Sequence, residues 1–467
     1  RKNETIARLP IDRSFSVKCF GAVVTGTLVS GEIKEADELE ILPFAKKVRV
    51  RGLQMHGKAV AVARAGQRTA VNLGGVEHAE IERGMVLCEK NALRPTQIFD
   101  AEIEVLKTTK KGVKSRQRVR VHIGTIEALA RVQVLNEAGE IAPGEKDFVQ
   151  LRTETFIVTI PQERFIIRSY SPQMTIAGGR VLDNAAAKHR RKDAAGIRRY
   201  LQNLIETNDK AAQIKLYLET ANENGALLAD LQARTGWRAE ILREAIQTNI
   251  EKKSIVEAES FFVARTPFEN LKTKTLTEIE NFHKKEPLAR GILRETLREK
   301  IFAHLTPEIF RSVLTNLENE KRIAAEKDIV RAASHNLELS GDEKTLRERL
   351  ENIYKKARLE VPKLEEALNE AVKNTKSSRE TARKVFQLLL NSGEIVKITD
   401  EFYFSKTEID DLIKKIKDDA AHSSDKLIDV AKFKTIAGIS RKYAIPLLEY
   451  FDRERITRRA GDQRLIL

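Results

Sequence analysis

The 467-residue sequence predicts a multidomain chain in which two all-β barrels are followed by four tandem copies of one small α+β unit. Three observations support this. The chain is longer than the roughly 250 to 300 residues at which a single hydrophobic core stops growing. Its first 183 residues alternate apolar with polar positions and are punctuated by Gly and Pro, the pattern of half-buried strands. From about residue 205 onward, helices, a polar break, an amphipathic helix and two short strands recur in the same order. With 41% hydrophobic and 32% charged residues, the chain has apolar surface enough for several cores.

The first barrel, residues 1–92, is read from Ser16-Val17-Lys18, Val23 to Val29, Leu39 to Leu42 and Lys47 to Arg51. The second, residues 93–183, follows Pro95 and is read from Ala101 to Val105, Val119 to Ile123, Ala130 to Val134 and Phe156 to Ile160. Short strands at regular spacing without long helices favour small antiparallel barrels. At Asp183 the pattern turns helical, and Ala185-Ala186-Ala187-Lys188-His189-Arg190-Arg191-Lys192 predicts a basic helical connector over 184–204.

The repeats are brought into register by Ile255, Ile323, Ile395 and Ile456, which open four hairpins at separations of 68, 72 and 61 residues. Phe261-Phe262-Val263, Ile329-Val330, Phe402-Tyr403-Phe404 and Leu465-Ile466 are the return strands. Helix-turn-helix plus hairpin is the winged-helix pattern, with the helix before the hairpin as the recognition element. The four copies are assigned to 205–265, 266–336, 337–407 and 408–467, with recognition helices beginning near Trp237, Pro307, Ser378 and Ser440. Val313-Leu314-Leu317 and Ile445-Leu448-Phe451 have the 3- and 4-residue spacing of a buried helix face.

Several function classes are disfavoured. Cys19 and Cys88 lack metal-ligand spacing, and so few cysteines suit a reducing compartment. The eight histidines, His56, His78, His122, His189, His283, His304, His335 and His422, form no metal-spaced pair, and no catalytic Ser-His-Asp or Cys-His set stands out, so no catalytic or metal residue is expected. There is no run of about 18 apolar residues and no signal segment, so a cytoplasmic chain without membrane contact is expected, and a monomer is the expected state. The chain opens at Arg1-Lys2-Asn3 without a methionine, which leads us to expect a preceding segment.

The formal charge of +15 favours a polyanionic partner, because phosphates neutralised by Lys and Arg release counterions. Residues 426–467 hold 10 Lys/Arg against 5 Asp/Glu and residues 1–183 hold 29 against 22, whereas residues 184–425 are nearly balanced at 44 against 41. The last copy opens its recognition helix with Ser440-Arg441-Lys442-Tyr443. Ser440 can cap the helix, Arg441 and Lys442 add mobile charge, and Tyr443 is either a base-stacking ring or a core residue. Arg453, Arg455, Arg458, Arg459 and Arg464 surround the wing, forming either an RNA-binding surface or a solvated charged face. The second copy opens with Thr306-Pro307-Glu308, which would repel phosphate.

Ser440 to Asp452, followed by Thr457-Arg458-Arg459 and Gly461-Asp462, resembles the C-terminal signature of the bacterial selenocysteine-specific elongation factors, the SelB family. Arg8-Leu9-Pro10-Ile11-Asp12-Arg13-Ser14-Phe15 and Gly21-Ala22-Val23-Val24-Thr25-Gly26-Thr27-Leu28 resemble the second domain of elongation factor Tu-like GTPases, extended by Val48 to Gly52 and Gly66-Gln67-Arg68. His122-Ile123-Gly124-Thr125 and Thr175 to Leu182 continue the likeness, so it covers nearly the whole chain. Cys19 and Ala177 stand where the family has Gly, and Ala22 where it has Thr; these departures bear on local turns. No G-x-x-x-x-G-K-[ST] loop and no N-K-x-D motif occurs, and Asp193-Ala194-Ala195-Gly196 is a chance D-x-x-G.

The resemblance implies translation-factor barrels, and a GTPase domain, with GTP and Mg2+, outside this sequence. It implies selenocysteinyl-tRNA, an mRNA SECIS hairpin and the ribosome as partners. Ser440, Arg441, Lys442, Tyr443, Arg458, Arg459 and Arg464 would hold the hairpin. Asp12, Arg13 and Arg68 would form the selenocysteine pocket, with a structural salt bridge as the plainer reading. Lys107, Lys110, Lys111, Lys114 and Arg116 lie in a basic loop that would meet tRNA phosphates or remain a solvated tip. The alternatives are a winged-helix DNA-binding regulator and a scaffolding array.

Overall fold

A computed structural model describes residues 4–17, 21–286, 288–335, 341–422 and 426–467. Cys19 and Lys18, with Arg1-Lys2-Asn3, lie outside the described residues. The chain divides into two compact units, Arg1–Thr275 with Arg298–Leu317, and Leu276–Leu297 with Glu318–Leu467.

Both expected barrels form in the first unit. In the first, Glu38–Leu42, Val86–Glu89, Arg8–Val17, Gly21–Thr27, Arg68–Gly74 and Lys46–Met55 pair in that order, and Lys46–Met55 pairs back to Glu38–Leu42. In the second, Thr96–Val105, Lys146–Ile157, Ile126–Val134, Arg118–Ile123, Arg164–Ser169 and Thr175–Asp183 close on themselves. The two-residue period decides which side chains fill them: in Arg118–Ile123, Val119, Val121 and Ile123 are buried and the residues between them are not. Ala22 and Ala177 likewise point into the barrel cores. Gly26 is needed because a Cβ there would collide with the carbonyl of Pro10.

The barrels are joined by a small apolar cluster in which Ile6, Val86 and Leu93 meet Val158 and Ile160. Arg8 pairs with Glu163 at 2.5 Å, and the Thr125 hydroxyl donates to the carbonyl of Ile11 at 2.8 Å. Val158, Thr159 and Ile160, expected to continue a strand, follow its end at Ile157. They leave the sheet because Asn184 and Glu163 take up their polar groups: Asn184 Nδ2 donates to the Thr159 carbonyl at 2.7 Å, and the Thr159 hydroxyl to Glu163 at 2.9 Å.

The connector differs from expectation. Residues 185–190 form no helix; the helix runs Ala194–Glu206 after a short turn at Arg191–Asp193. Tertiary hydrogen bonds outcompete the helix propensity of the three alanines. Gln150 donates to the Ala187 carbonyl at 2.9 Å, and His189 Nε2 lies 2.7 Å from Asp100, so the segment is strapped to the barrel wall.

Each winged helix has the expected order. The first contains Lys210–Ala221, Leu228–Thr235, Ala239–Glu251 and the hairpin Ile255–Ala258 with Phe261–Ala264. The second contains Arg265–Lys285, Arg294–Ile301, Pro307–Asn319 and the hairpin Ile323–Glu326 with Ile329–Ala332. The third contains Gly341–Ala357, Leu364–Val372, Arg379–Ser392 and Ile395–Lys397 with Tyr403–Ser405. The fourth contains Lys406–Ala421, Val430–Ala437, Arg441–Arg453 and Thr457–Ala460 with Gln463–Ile466. Val313, Leu314, Leu317, Leu448 and Phe451 are buried, as their spacing demands, while Ile445 is half-buried. In the second unit one continuous apolar cluster runs from Leu346 through Phe386 and Phe404 to Leu448 and Phe451, so the third and fourth winged helices share a core.

Candidate nucleic-acid interface

The four recognition helices start at Ala239, Pro307, Arg379 and Arg441. Their second residues are Glu240, Glu308, Glu380 and Lys442. An acid there complements the positive end of the helix dipole, and a lysine opposes it. The first turn of Arg441–Arg453 holds no acidic residue. Moreover, Pro446 has no N–H, so the carbonyl of Lys442 receives no helical partner four residues on.

Ion pairing separates the fourth copy from the second and third. In the second, Arg311 is held by both carboxylate oxygens of Glu259, at 2.7 Å each. In the third, Arg379 and Arg383 converge on Glu365, and Lys384 reaches Glu286 at 2.7 Å. Arg441, Lys442, Arg458 and Arg459 are exposed and, among the described residues, make no ion pair. Lys442 instead places its ammonium 5.4 Å from the Phe402 ring centre and 5.2 Å from that of Tyr443. A helix start with unpaired N–H groups and uncompensated cations is an anion site waiting to be filled.

Two of the residues read from the sequence are placed differently. Arg464 is buried, at 8% exposure, and its Nε donates to Asp452 at 2.8 Å, while the Thr457 hydroxyl donates to the other oxygen of Asp452 at 2.6 Å. The reason is strand alternation: Gln463–Ile466 turns Arg464 and Ile466 inward, leaving Arg464 to brace the wing from behind. Tyr443 is half-buried, its hydroxyl donating to the Val361 carbonyl at 3.2 Å and its ring meeting Phe402 edge-on at 5.2 Å. Its ring and hydroxyl are therefore engaged in packing against the third winged helix. Ser440 occupies the cap position but its side chain makes no capping hydrogen bond.

The first barrel brings Asp12 and Arg13, on Arg8–Val17, together with Arg68, on Arg68–Gly74, across the strand Gly21–Thr27 that lies between them. Asp12 falls at a β-bulge between Ile11 and Arg13, which re-aims its side chain. It accepts from Arg68 at 2.6 Å and from the Thr25 hydroxyl at 2.7 Å. Partial burial pushes its pKa up, but the hydrogen bonds from Arg68 and Thr25, together with the charges of Arg68 and Arg13, prevail and hold it below the ordinary value. The Arg68 side chain remains 56% exposed and Arg13 is exposed, so both guanidiniums have donors free for a further anion. Thr25 was not singled out from the sequence; its cross-strand register with Arg13 is what places it there.

Lys107, Lys110, Lys111, Lys114 and Arg116 are all exposed. Lys114 pairs with Glu140 at 3.2 Å across the short ladder Val113–Lys114 with Glu140–Ile141.

Fold and site together define an elongation-factor-type β-barrel pair joined to a winged-helix arm with one cationic recognition helix. Residues 21–88 match the family model "Elongation factor Tu domain 2", and residues 100–188 match "Selenocysteine-specific elongation factor, beta-barrel domain". Residues 276–331 and 421–466 match models for "Elongation factor SelB, winged helix". A selenocysteine-specific elongation factor of Desulfomicrobium baculatum is 32% identical over 473 residues, spanning 100% of this chain and 72% of the relative. That of Escherichia coli is 25% identical, spanning 98% and 70%. The crystal structure of bacterial selenocysteine-specific elongation factor EF-Sec shares the fold at a TM-score of 0.59 and 20% identity, over 100% of this chain and 70% of that one. The chain belongs to the selenocysteine-specific elongation factors, the SelB family.

Proposed function

We propose that this chain binds selenocysteinyl-tRNA through its barrels and an mRNA SECIS hairpin through its last winged helix, delivering selenocysteine to UGA codons on the ribosome. The observation that carries the hairpin reading is the recognition helix Arg441–Arg453, whose first-turn cations Arg441 and Lys442 have no carboxylate partner among the described residues, whereas Arg311 in the second copy and Arg379 and Arg383 in the third each have one. Phosphates would meet Arg441, Lys442, Arg458 and Arg459, and the exposed wing turn at Gly461 leaves room for the backbone to approach. Tethering beside the codon raises the effective concentration of the tRNA-bearing barrels there, into the mM range for a short connection.

In the barrel, a selenolate would lie against Arg13 and Arg68, with Asp12 holding Arg68 and the Thr25 hydroxyl holding Asp12. A selenol ionises more readily than a hydroxyl, so two guanidiniums favour it over serine on charge alone. Lys107, Lys110, Lys111, Lys114 and Arg116 are proposed tRNA phosphate contacts. GTP and Mg2+ are proposed to bind outside these 467 residues. The reading is supported by the lack of a phosphate-loop motif within them.

The test is titration of the chain with a stem-loop carrying unpaired loop bases, against a DNA duplex of arbitrary sequence. Preference for the hairpin is expected. Arg441→Ala with Arg458→Ala should lower affinity roughly tenfold or more and flatten the dependence of log K on log salt by about 1.5. Equal competition by the duplex would instead favour a DNA-binding regulator.

A further inference from the structure

The start of the fourth recognition helix does not stand alone. Its third residue, Tyr443, donates its hydroxyl to the carbonyl of Val361, in the loop between helices Gly341–Ala357 and Leu364–Val372 of the third winged helix. The Tyr443 ring meets Phe402 edge-on, and the Lys442 ammonium sits over both rings. Phe402 is itself fixed: its N–H donates to the Thr399 hydroxyl at 3.1 Å, and its carbonyl accepts from Ile398 and Thr399 at 3.0 and 3.3 Å. Both Phe402 and Val361 are buried. The two domains share one core, so these contacts lie on a continuous packed surface.

We propose that Phe402 and the Val361 carbonyl, both in the third winged helix, are positioning elements for the hairpin grip of the fourth. They hold Tyr443, and through it the first turn, so that Arg441 and Lys442 are presented to phosphate before RNA arrives. The inference rests on the hairpin reading above. Two unneutralised cations at a helix N-terminus oppose the dipole, and a lysine there gains by turning away into solvent. The aromatic pair supplies the counterforce, a cation–π contact that holds the ammonium near the helix start without consuming its charge. A carboxylate partner, as in the second and third copies, would hold the cation equally well but cancel it. The third copy, whose own recognition-helix cations are spent on Glu365 and Glu286, therefore contributes to RNA binding without touching RNA. Affinity then depends on preorganisation across the two domains.

The experiment uses the full chain and a SECIS-type hairpin, with affinity measured over a range of salt and folding followed by thermal unfolding. Phe402→Leu keeps the position apolar but removes the ring. It is expected to weaken the hairpin roughly fivefold and to reduce the slope of log K against log salt by about 0.7 to 0.9, one phosphate contact. Lys442→Ala should produce a similar loss, and the two losses should not add in the double variant, because the ring acts through the lysine. Phe402→Tyr keeps a ring and should retain affinity. Tyr443→Phe removes only the hydroxyl held by Val361 and should cost roughly threefold. A lower folded fraction reduces the amount of RNA bound at saturation but not the salt slope, so the slope separates positioning from simple destabilisation. An unchanged salt slope in Phe402→Leu, or fully additive losses with Lys442→Ala, overturns the proposal. Unchanged affinity in the Arg441→Ala, Arg458→Ala variant overturns the hairpin reading itself.

Discussion

Lys442 and Arg464 are both cations near the wing, and they do opposite things. Lys442 is exposed beside aromatic rings and keeps its charge for a ligand; Arg464 is buried and spends its charge on Asp452. Arg464→Ala should therefore destabilise the last domain by about 2 to 3 kcal/mol, since it strands a partly buried carboxylate. Its hairpin affinity, corrected for the folded fraction, should keep the wild-type salt slope; a slope reduced by one phosphate would return Arg464 to the RNA surface. At the other end, Arg13→Ala or Arg68→Ala should weaken selenocysteinyl-tRNA more than seryl-tRNA, measured in the GTP-bound full-length factor. Equal losses would leave only a structural salt bridge. Asp12 has a lowered pKa, so its stabilising pairing is complete above the ordinary carboxylate range and is lost only as pH falls through the still lower folded value. Selectivity should accordingly be flat around neutral pH. These residues were legible as types but not as roles, because inward and outward positions on a short strand differ by one residue of register.

Among the elements, the four hairpins were readable from paired β-branched and aromatic runs, and the recognition helices began within two residues of expectation. The connector was not, because helix propensity says nothing about Gln150 and Asp100 waiting on the barrel wall. A second element-scale device lies in the hairpin Ile323–Glu326 with Ile329–Ala332. The Ala332 amide donates to His283 Nε2 at 3.3 Å, and the His283 ring stacks on His335 at 3.6 Å. Burial, with the charges of His335 and Arg331, depresses the His283 pKa from 6.5 to about 4. Between those values the unfolded chain binds a proton that the folded chain does not, so stability rises with pH across this window and is lost on acidification. Hydrogen exchange at the Ala332 amide should accelerate as pH falls from 6.5 toward 4, after correction for intrinsic rates. A flat corrected rate would mean that His283 does not hold the hairpin.

On the scale of the molecule, the first unit is unified by a buried polar network that the sequence did not announce. Arg234, from the first winged helix, donates through Nε to Asp183 at the end of the second barrel at 2.9 Å, and lies 4.3 Å from the Tyr217 ring centre. The Tyr200 hydroxyl donates to the same carboxylate at 2.8 Å. Although burial opposes the charge on Asp183, Arg234 prevails and holds its pKa below the ordinary value. Arg234→Met should cost about 3 to 5 kcal/mol in the denaturant transition of this unit, because it leaves Asp183 buried and unpaired. A cost under about 1 kcal/mol would show that the barrel and the winged helix are not energetically joined there.

By itself the sequence determined the domain series, the family likeness and the cationic fourth copy, because periodicity, turn residues and charge are local properties of the chain. It could also have yielded the contrast of Glu240, Glu308 and Glu380 with Lys442, since that is a matter of register alone. Only the tertiary structure decided which cations are free. Arg379 and Arg441 look alike in sequence, but one is answered by Glu365 and the other by no carboxylate among the described residues, and that depends on which helix packs beside it. The same holds for Tyr443, whose ring was open to either reading until Phe402 and Val361, distant in the chain, were found against it.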